Sequence, residues 1–420
     1  MAQTLCEKII AKAAGTGTVS PGEIVTCKVD LAMMHDSAGP RMAGKKLDEL
    51  GVPVWDLDKL VVITDHYIND DNPAHHAIQK HAFDWVKGHD IRHFIQEQGI
   101  CHIVLPQAGH VKPGMFIVGG DSHSVTGGAF GAFMVGIGAT EMTGVLATGE
   151  IWVRVPETVK IKVTGTLKPG VAAKDVILKL CGDHGIMGFN YQALEYCGSG
   201  VSAMSIEERM TLANMAAELG AKAGYCLPDE KTGSVLGKWG AKGVDIASWQ
   251  SDADASYAKT VTVDGDMLTP QVAAPSSPEN AGPIEAHAGT RLDQAYLGAC
   301  TGAKHDDLRM AAQVLKGRKI QSGFKFMISP SSLAMQEEAR ADGTLQIIED
   351  AGGVILPMGC SGCIGIGPSR LDENAVGISS TNRNFVGRAG PKSSKLYLAS
   401  PYTVAASAIT GKITDPRKFL

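Results

Sequence analysis

No run of more than two like charges occurs in this chain, no apolar stretch approaches the ~20 residues that a membrane-spanning helix needs, and no short repeat, heptad or low-complexity tract interrupts it. The net charge of −5 is spread evenly, so the basic footprint of a nucleic-acid binder is missing. The N-terminus, MAQTLCEKIIAKAAG, mixes Glu and Lys on an amphipathic helical pattern and lacks the charged-then-apolar order of a secretory signal. Cysteines number nine in 420 residues, odd and scattered, which argues against a disulfide framework and for a reducing cytoplasm. Neither a membrane nor a nucleic acid is an expected partner.

What is present fits a soluble globular protein of several domains. The length exceeds what one core supports, and 44% hydrophobic with 20% charged residues is ordinary for a globular protein. Glycine is abundant, 50 residues or about 12% against a usual ~7%, as expected where strands turn tightly into helices and backbone approaches ligands. The pattern is α/β: apolar, β-rich runs such as LVVITDH (60–66) and MFIVGG (115–120) end abruptly in polar groups, and helical stretches separate them. LAMMHDSAGPRMAGKKLDELG reads as a polar loop feeding a helix, 75–99 as helical, 103–105 as a strand, and the glycine-rich 127–149 as a closely packed helix. Ser205 with Glu208 three residues later fits a capping box. The stretch 267–289, with four prolines, reads as an interdomain linker or surface crossing. Three α/β domains at 1–157, 158–285 and 286–420 follow, the second ending in that linker.

Four groups of residues carry chemistry. Cys300 stands alone in GACTGAK, and Cys360 and Cys363 follow with CxxC spacing in GCSGCIG. Spacing alone leaves an iron–sulfur cluster, a zinc site and a redox pair all open. Asp65–His66 and Asp121-Ser122-His123 close two buried strands, where open α/β sheets place their sites. A carboxylate beside an imidazole suits proton delivery to a leaving hydroxyl. STNRNFVGR (380–388) offers Arg383 and Arg388 as planar forks for carboxylates, although most such arginines are simply solvated. Glu195 in ALEY and His102 after Cys101 would be unremarkable by themselves.

Taken together, GDSHSVTGGAFGAFMVGIGATE, ALEYCGSGVSAMSIEERMTLANMAAELGA, the CT and CxxC cysteines, STNRNFVGR and YLASPYTVAASAITGKITDP resemble the aconitase superfamily, and within it the large subunits of the isopropylmalate dehydratase and homoaconitase branch. The resemblance runs from the first helix to KITDP. It implies three α/β/α domains around a [4Fe–4S] cluster held by Cys300, Cys360 and Cys363, without the fourth, swivelling domain. It also implies a hydro-lyase acting on a malate-type dicarboxylate. By the same resemblance Asp65–His66 protonate the departing hydroxyl, and His102 and Asp121 form a second pair. His123 and Glu195 surround the iron-bound water. His35, Ser122, Asn382, Arg383 and Arg388 contact the substrate or the cluster side. Where single-chain members continue into a domain that supplies a base and further arginines, this sequence ends, so a separate small subunit is expected to supply them.

Isopropylmalate is the first expected substrate, with dimethylmalate, citramalate, maleate/malate and homocitrate as alternatives. RNA binding by a cluster-free form is the alternative of another class, opposed by the net charge. Two departures stand out: Gly302 occupies the place of a usual Asn after Cys-Thr, and Val125 stands where many members have cysteine.

Overall fold

A computed structural model describes residues 2–68 and 72–420. By packing, these form two compact units, one of residues 1–162, 190–197 and 220–262, the other of 163–189, 198–219 and 263–420. Among the described residues no helix is long and apolar enough to cross a membrane.

The first unit is built on a five-stranded parallel sheet ordered His93–Gln96, Leu60–Thr64, Leu31–His35, Phe116–Gly119, Phe133–Gly136. Leu60–Thr64 is buried on both faces, which explains its unbroken apolar run. The central strand, Leu31–His35, was not expected from sequence. Its LAMMH is uniformly buried rather than alternating, so the two-residue period that marks a half-exposed strand is missing. Strands Thr158–Thr164, Ala193–Cys197 and Ala223–Cys226 pair in parallel in a second, four-stranded sheet completed by Lys259–Asp264.

Other sequence expectations need correction. The segment around 103–105 is a helix, Cys101–Gln107, not a strand. Ile100 offers no side-chain cap, but the buried Asp65 carboxylate accepts the Cys101 N–H at 2.8 Å and serves as one. The expected helix from 75 to 99 is the helix Pro73–Gly88 followed by the strand His93–Gln96. The glycine-rich segment divides into a 3₁₀ run Ser122–Phe130, the strand Phe133–Gly136 and the helix Ala139–Thr148.

In the second unit a seven-stranded sheet has the order Ala281–Pro283, Gln271–Ala273, Lys395–Ala399, Val376–Ser379, Gln294–Leu297, Lys325–Ile328, Val354–Ile355. The last five strands are parallel, and the first two add antiparallel at one edge. The proline-rich 267–289 is therefore sheet, with Gln271–Ala273 wholly buried, and not an exposed linker. Its short strands carry prolines at their margins, where no ladder N–H is needed. The capping box is formed, with Ser205 Oγ accepting from Glu208 N at 3.2 Å and Glu208 Oε2 accepting from Ser205 N at 3.3 Å.

Glycine lets the 3₁₀ run Ser122–Phe130 pack directly on the strand Ala223–Cys226. A Cβ on Gly128 would lie 1.9 Å from the Gly224 carbonyl oxygen, whereas one on Gly144, mid-helix, would meet nothing within 4 Å. Gly128→Ala is expected to lower stability by about 1–3 kcal/mol through overpacking. Gly144→Ala should raise it by about 0.5–1 kcal/mol. Denaturant unfolding of the two variants beside the parent chain checks both signs.

Candidate active site

Three neighbouring strands of the five-stranded sheet deliver His35, Asp65–His66 and Asp121 at their carboxyl ends. Asp65 is fully buried and its Oδ1 lies 2.6 Å from His66 Nδ1. Asp36, also fully buried, places Oδ1 3.4 Å from the same nitrogen. His35 stacks on the His66 ring with centroids 4.4 Å apart. Its Nε2 lies 3.0 Å from the Gly120 carbonyl oxygen, which can only accept, so that nitrogen carries the proton.

Burial alone works against charge on His66, but the Asp65 and Asp36 carboxylates outweigh it and hold the pKa well above 6.5. Burial likewise opposes charge on Asp65, yet His66 pulls its pKa far below the usual carboxylate range. Burial and the charge on His66 push His35 down. The stacked pair is thus one imidazolium and one neutral ring, a proton donor beside a polar neighbour.

Asp121 builds the adjoining group. Its Oδ1 accepts from His123 N at 2.7 Å, capping the 3₁₀ run, and lies 2.9 Å from His102 Nε2. His123 Nδ1 is 3.4 Å from the same oxygen. Burial would raise the Asp121 pKa, but the two imidazoles bring it well below its ordinary value. Ser122, next in the chain, is exposed at the start of this run. Both His–Asp sets bring donor atoms within 4.8 Å of one another, close enough for a metal ion. The charge held on His66 opposes a cation at the first of them.

Glu195 lies on the strand Ala193–Cys197 of the four-stranded sheet. Its carboxylate accepts from Tyr257 Oη at 2.7 Å, Ser251 Oγ at 2.5 Å and Tyr225 Oη at 3.2 Å, and the residue is 1% exposed. Glu195 is thus a buried carboxylate that accepts from three hydroxyls.

In the second unit, Cys300 follows the strand Gln294–Leu297 and Asn382 follows its parallel neighbour Val376–Ser379, so sheet register sets the two side by side. Ala299, just before the cysteine, takes φ 65°, a left-handed conformation costly for a residue with a Cβ. Cys300 and Cys363 are buried, and Cys360 is half-buried. Cys363 N donates to Cys360 O at 2.8 Å, closing the CxxC turn. Asn382 Oδ1 lies 3.7 Å from Cys300 Sγ and 4.0 Å from Cys363 Sγ, joining the two loops. Asn214 Nδ2 donates to Cys300 Sγ at 3.0 Å, and Arg388 Nη2 donates to Cys363 Sγ at 3.8 Å. Arg383 Nε donates to the buried Glu218 Oε1 at 2.7 Å.

This donor set fits an iron–sulfur group. N–H donors aimed at thiolates are what cluster sulfurs use. Among the described residues the three cysteines are not one of the groups converging within 4.8 Å, whereas one tetrahedral zinc would draw its thiolates to about 3.8 Å. Asp36, Asn214 and Glu218 were missed in the sequence. Asp36 had a signal, because HD at 35–36 mirrors DH at 65–66. Asn214 and Glu218 lie four residues apart in the apolar LANMAAELGA, where a polar pair on a buried helical face is itself the clue.

A raised His66 pKa has a defined effect on stability. The bound proton favours the folded state fully below the unfolded value of ~6.5, and that contribution fades as pH rises through the folded value. Asp65, shifted down, contributes above ~3.9 and is lost as pH falls. Asp36→Asn is therefore expected to bring the His66 pKa down and to narrow the stable range from its alkaline side. Nitrogen-15 NMR of the imidazole across pH 5–9 reads this directly.

Residues 7–291 and 285–411 match the aconitase family (aconitate hydratase). The "3-isopropylmalate dehydratase large subunit 1" of Methanopyrus kandleri is 43% identical over 422 residues, covering 100% of both chains. The "Probable methanogen homoaconitase large subunit" of Methanothermobacter thermautotrophicus is 39% identical, covering 99% of this chain and 97% of its own. In fold, the chain resembles the holo-form of aconitase X from Thermococcus kodakaraensis, with a TM-score of 0.52 at 16% identity over 85% of this chain and 84% of the other. The chain belongs to the aconitase family.

Proposed function

We propose that this chain is the cluster-bearing large subunit of a hydro-lyase that reversibly dehydrates a malate-type dicarboxylate, 3-isopropylmalate first among them. The observation that carries the reading is the buried imidazolium at His66, held by Asp65 and Asp36, in a family of dehydratases. Identity of 37–43% over whole lengths to proteins named as 3-isopropylmalate dehydratase large subunits supports the substrate. Dimethylmalate, citramalate, maleate/malate and homocitrate are the alternatives, the last supported by the homoaconitase relative.

Dehydration breaks a C–O bond, delivers a proton to the departing hydroxyl and takes one from the neighbouring carbon. His66 supplies the first proton, with Asp65 fixing its ring and Asp36 sustaining its charge. His102, Asp121 and His123 form a second proton-holding set, and His35 and Ser122 contact substrate. Cys300, Cys360 and Cys363 hold a [4Fe–4S] cluster, which when bound supplies Lewis acidity toward the substrate's oxygens. Arg383 and Arg388 bind substrate carboxylates, Arg383 braced by Glu218, while Asn382 orders the thiolates. The base and further arginines come from a small subunit, as the relatives' "large subunit" names suggest. Free thiols throughout the described residues suit a reducing cytoplasm. The three domains read from sequence remain our division, one larger sheet to each, although the strands Gln271–Ala273 and Ala281–Pro283 join the third sheet.

With the small subunit co-expressed, His66→Ala should cut kcat at least about 100-fold, the scale of lost general acid catalysis, at unchanged iron content. Cys363→Ser should lose both iron and turnover. Retained iron and activity in Cys363→Ser, or inactivity of the paired subunits toward every malate analogue tried, would refute the reading.

A further inference from the structure

The helix Ala173–His184 begins with a buried lysine that points at the turns bearing Cys300 and Asn382. Lys174 is 1% exposed, and its Nζ donates to Thr381 O at 2.6 Å, Ser380 O at 3.1 Å and Thr301 Oγ1 at 3.4 Å. One ammonium thus spans the residue after Cys300 and the two residues before Asn382. Its three acceptors are neutral. The other buried lysine of this region, Lys304, differs: its Nζ lies 2.5 Å from Asp307 Oδ2 and 2.9 Å from Thr211 Oγ1. Asp175, beside Lys174 in sequence, turns to Gln271 N at 2.7 Å and Ala172 N at 2.8 Å instead, and burial pushes its pKa up to about 7.

An ammonium taken out of water costs several kcal/mol unless an opposite charge faces it. Burial pushes Lys174 down to about 8, and the groups that favour its charge include Glu218, Cys300 and Asp307. Glu218 already holds Arg383, and Asp307 holds Lys304. Glu218 is the first of these groups and Cys300 the next, while every hydrogen bond of the Lys174 ammonium goes to the turns that carry Cys300 and Asn382.

We propose that Lys174 is a positioning residue that ties the Cys300 turn to the Asn382–Arg383 loop and supplies fixed positive charge behind the thiolates. This rests on the cluster reading above. It predicts effects on two properties, the lifetime of the bound cluster and the placement of Arg383 for substrate. Neither requires Lys174 to touch substrate or iron.

Lys174→Met and Lys174→Arg, each co-expressed with the small subunit and loaded anaerobically, test it. Lys174→Met should lose its visible iron–sulfur absorbance to a chelator at least tenfold faster than the parent, within the ~10–100-fold expected when a group behind a metal ligand is removed. Its KM for the dicarboxylate should rise more than its kcat falls, and its cluster reduction potential should drop. Lys174→Arg, which keeps the charge, should recover the potential. If Lys174→Met does not accumulate as folded protein by circular dichroism, Thr301→Val gives the graded version, with an intermediate rate of cluster loss. Parental cluster lifetime and KM in Lys174→Met, or in Thr301→Val where that variant stands in, would overturn the proposal while leaving the cluster reading intact. Equal loss of potential in Met and Arg variants would overturn the charge role. A parent chain that takes up no iron would overturn the cluster reading and this proposal with it.

Discussion

The first unit depends on one buried carboxylate. Asp65 receives the His66 imidazolium on Oδ1 and the Cys101 N–H on Oδ2, at 2.6 and 2.8 Å. The first contact keeps the His66 imidazole charged where burial would discharge it. The second caps the helix that carries His102, which in turn meets Asp121. A negative charge at that helix start also suits the macrodipole. The two His–Asp pairs are therefore coupled through the backbone, and a neutral Asp65 would loosen the second pair as well as discharge the first.

The second unit solves a different problem, that of ordering sulfur. Parallel register sets the Cys300 and Asn382 turns at adjacent strand ends, and the Cys300 and Cys363 thiols meet nitrogen donors from Asn214 and Arg388. Strain is part of the arrangement: Ala299 adopts φ 65° just before the cysteine, and its carbonyl is held by Ser331 Oγ at 2.9 Å. A left-handed residue aims the following side chain away from the direction of the strand, and surrounding contacts must sustain the cost.

How much was legible follows from what kind of signal each residue leaves. The capping box at Ser205–Glu208 and the buried strand ending in Asp65–His66 are local and were readable. Leu31–His35 was missed because a strand buried on both faces has no alternation. Cys101–Gln107 was misread because its cap comes from Asp65, thirty-six positions back. Glu195 and Glu218 show the same limit for function. Glu195 sits in a conspicuous ALEY-CGSG context and accepts from three hydroxyls, whereas Glu218 sits within an ordinary helical stretch yet holds Arg383. Which carboxylate meets a guanidinium is decided by tertiary packing, and no spacing rule encodes it.

Gly302 is where sequence and structure explain each other most directly. Its place after Cys-Thr suggested a side-chain amide missing beside the sulfurs. A Cβ there would lie 2.0 Å from Ser380 Oγ, so the position has no room for one. Ser380 uses that space to accept from Gly298 N at 3.1 Å and to donate to Gly302 O at 3.0 Å, stitching the cysteine turn to the Asn382 loop. The amide function is not lost, because Asn214 and Asn382 both present Nδ2 to Cys300 Sγ, at 3.0 and 3.5 Å. Glycine at 302 and serine at 380 therefore form one packing unit. An asparagine at 302 would push the two loops apart, and trimming Ser380 would not make room for it, because the Ser380 carbonyl oxygen lies 2.6 Å from the same Cβ position.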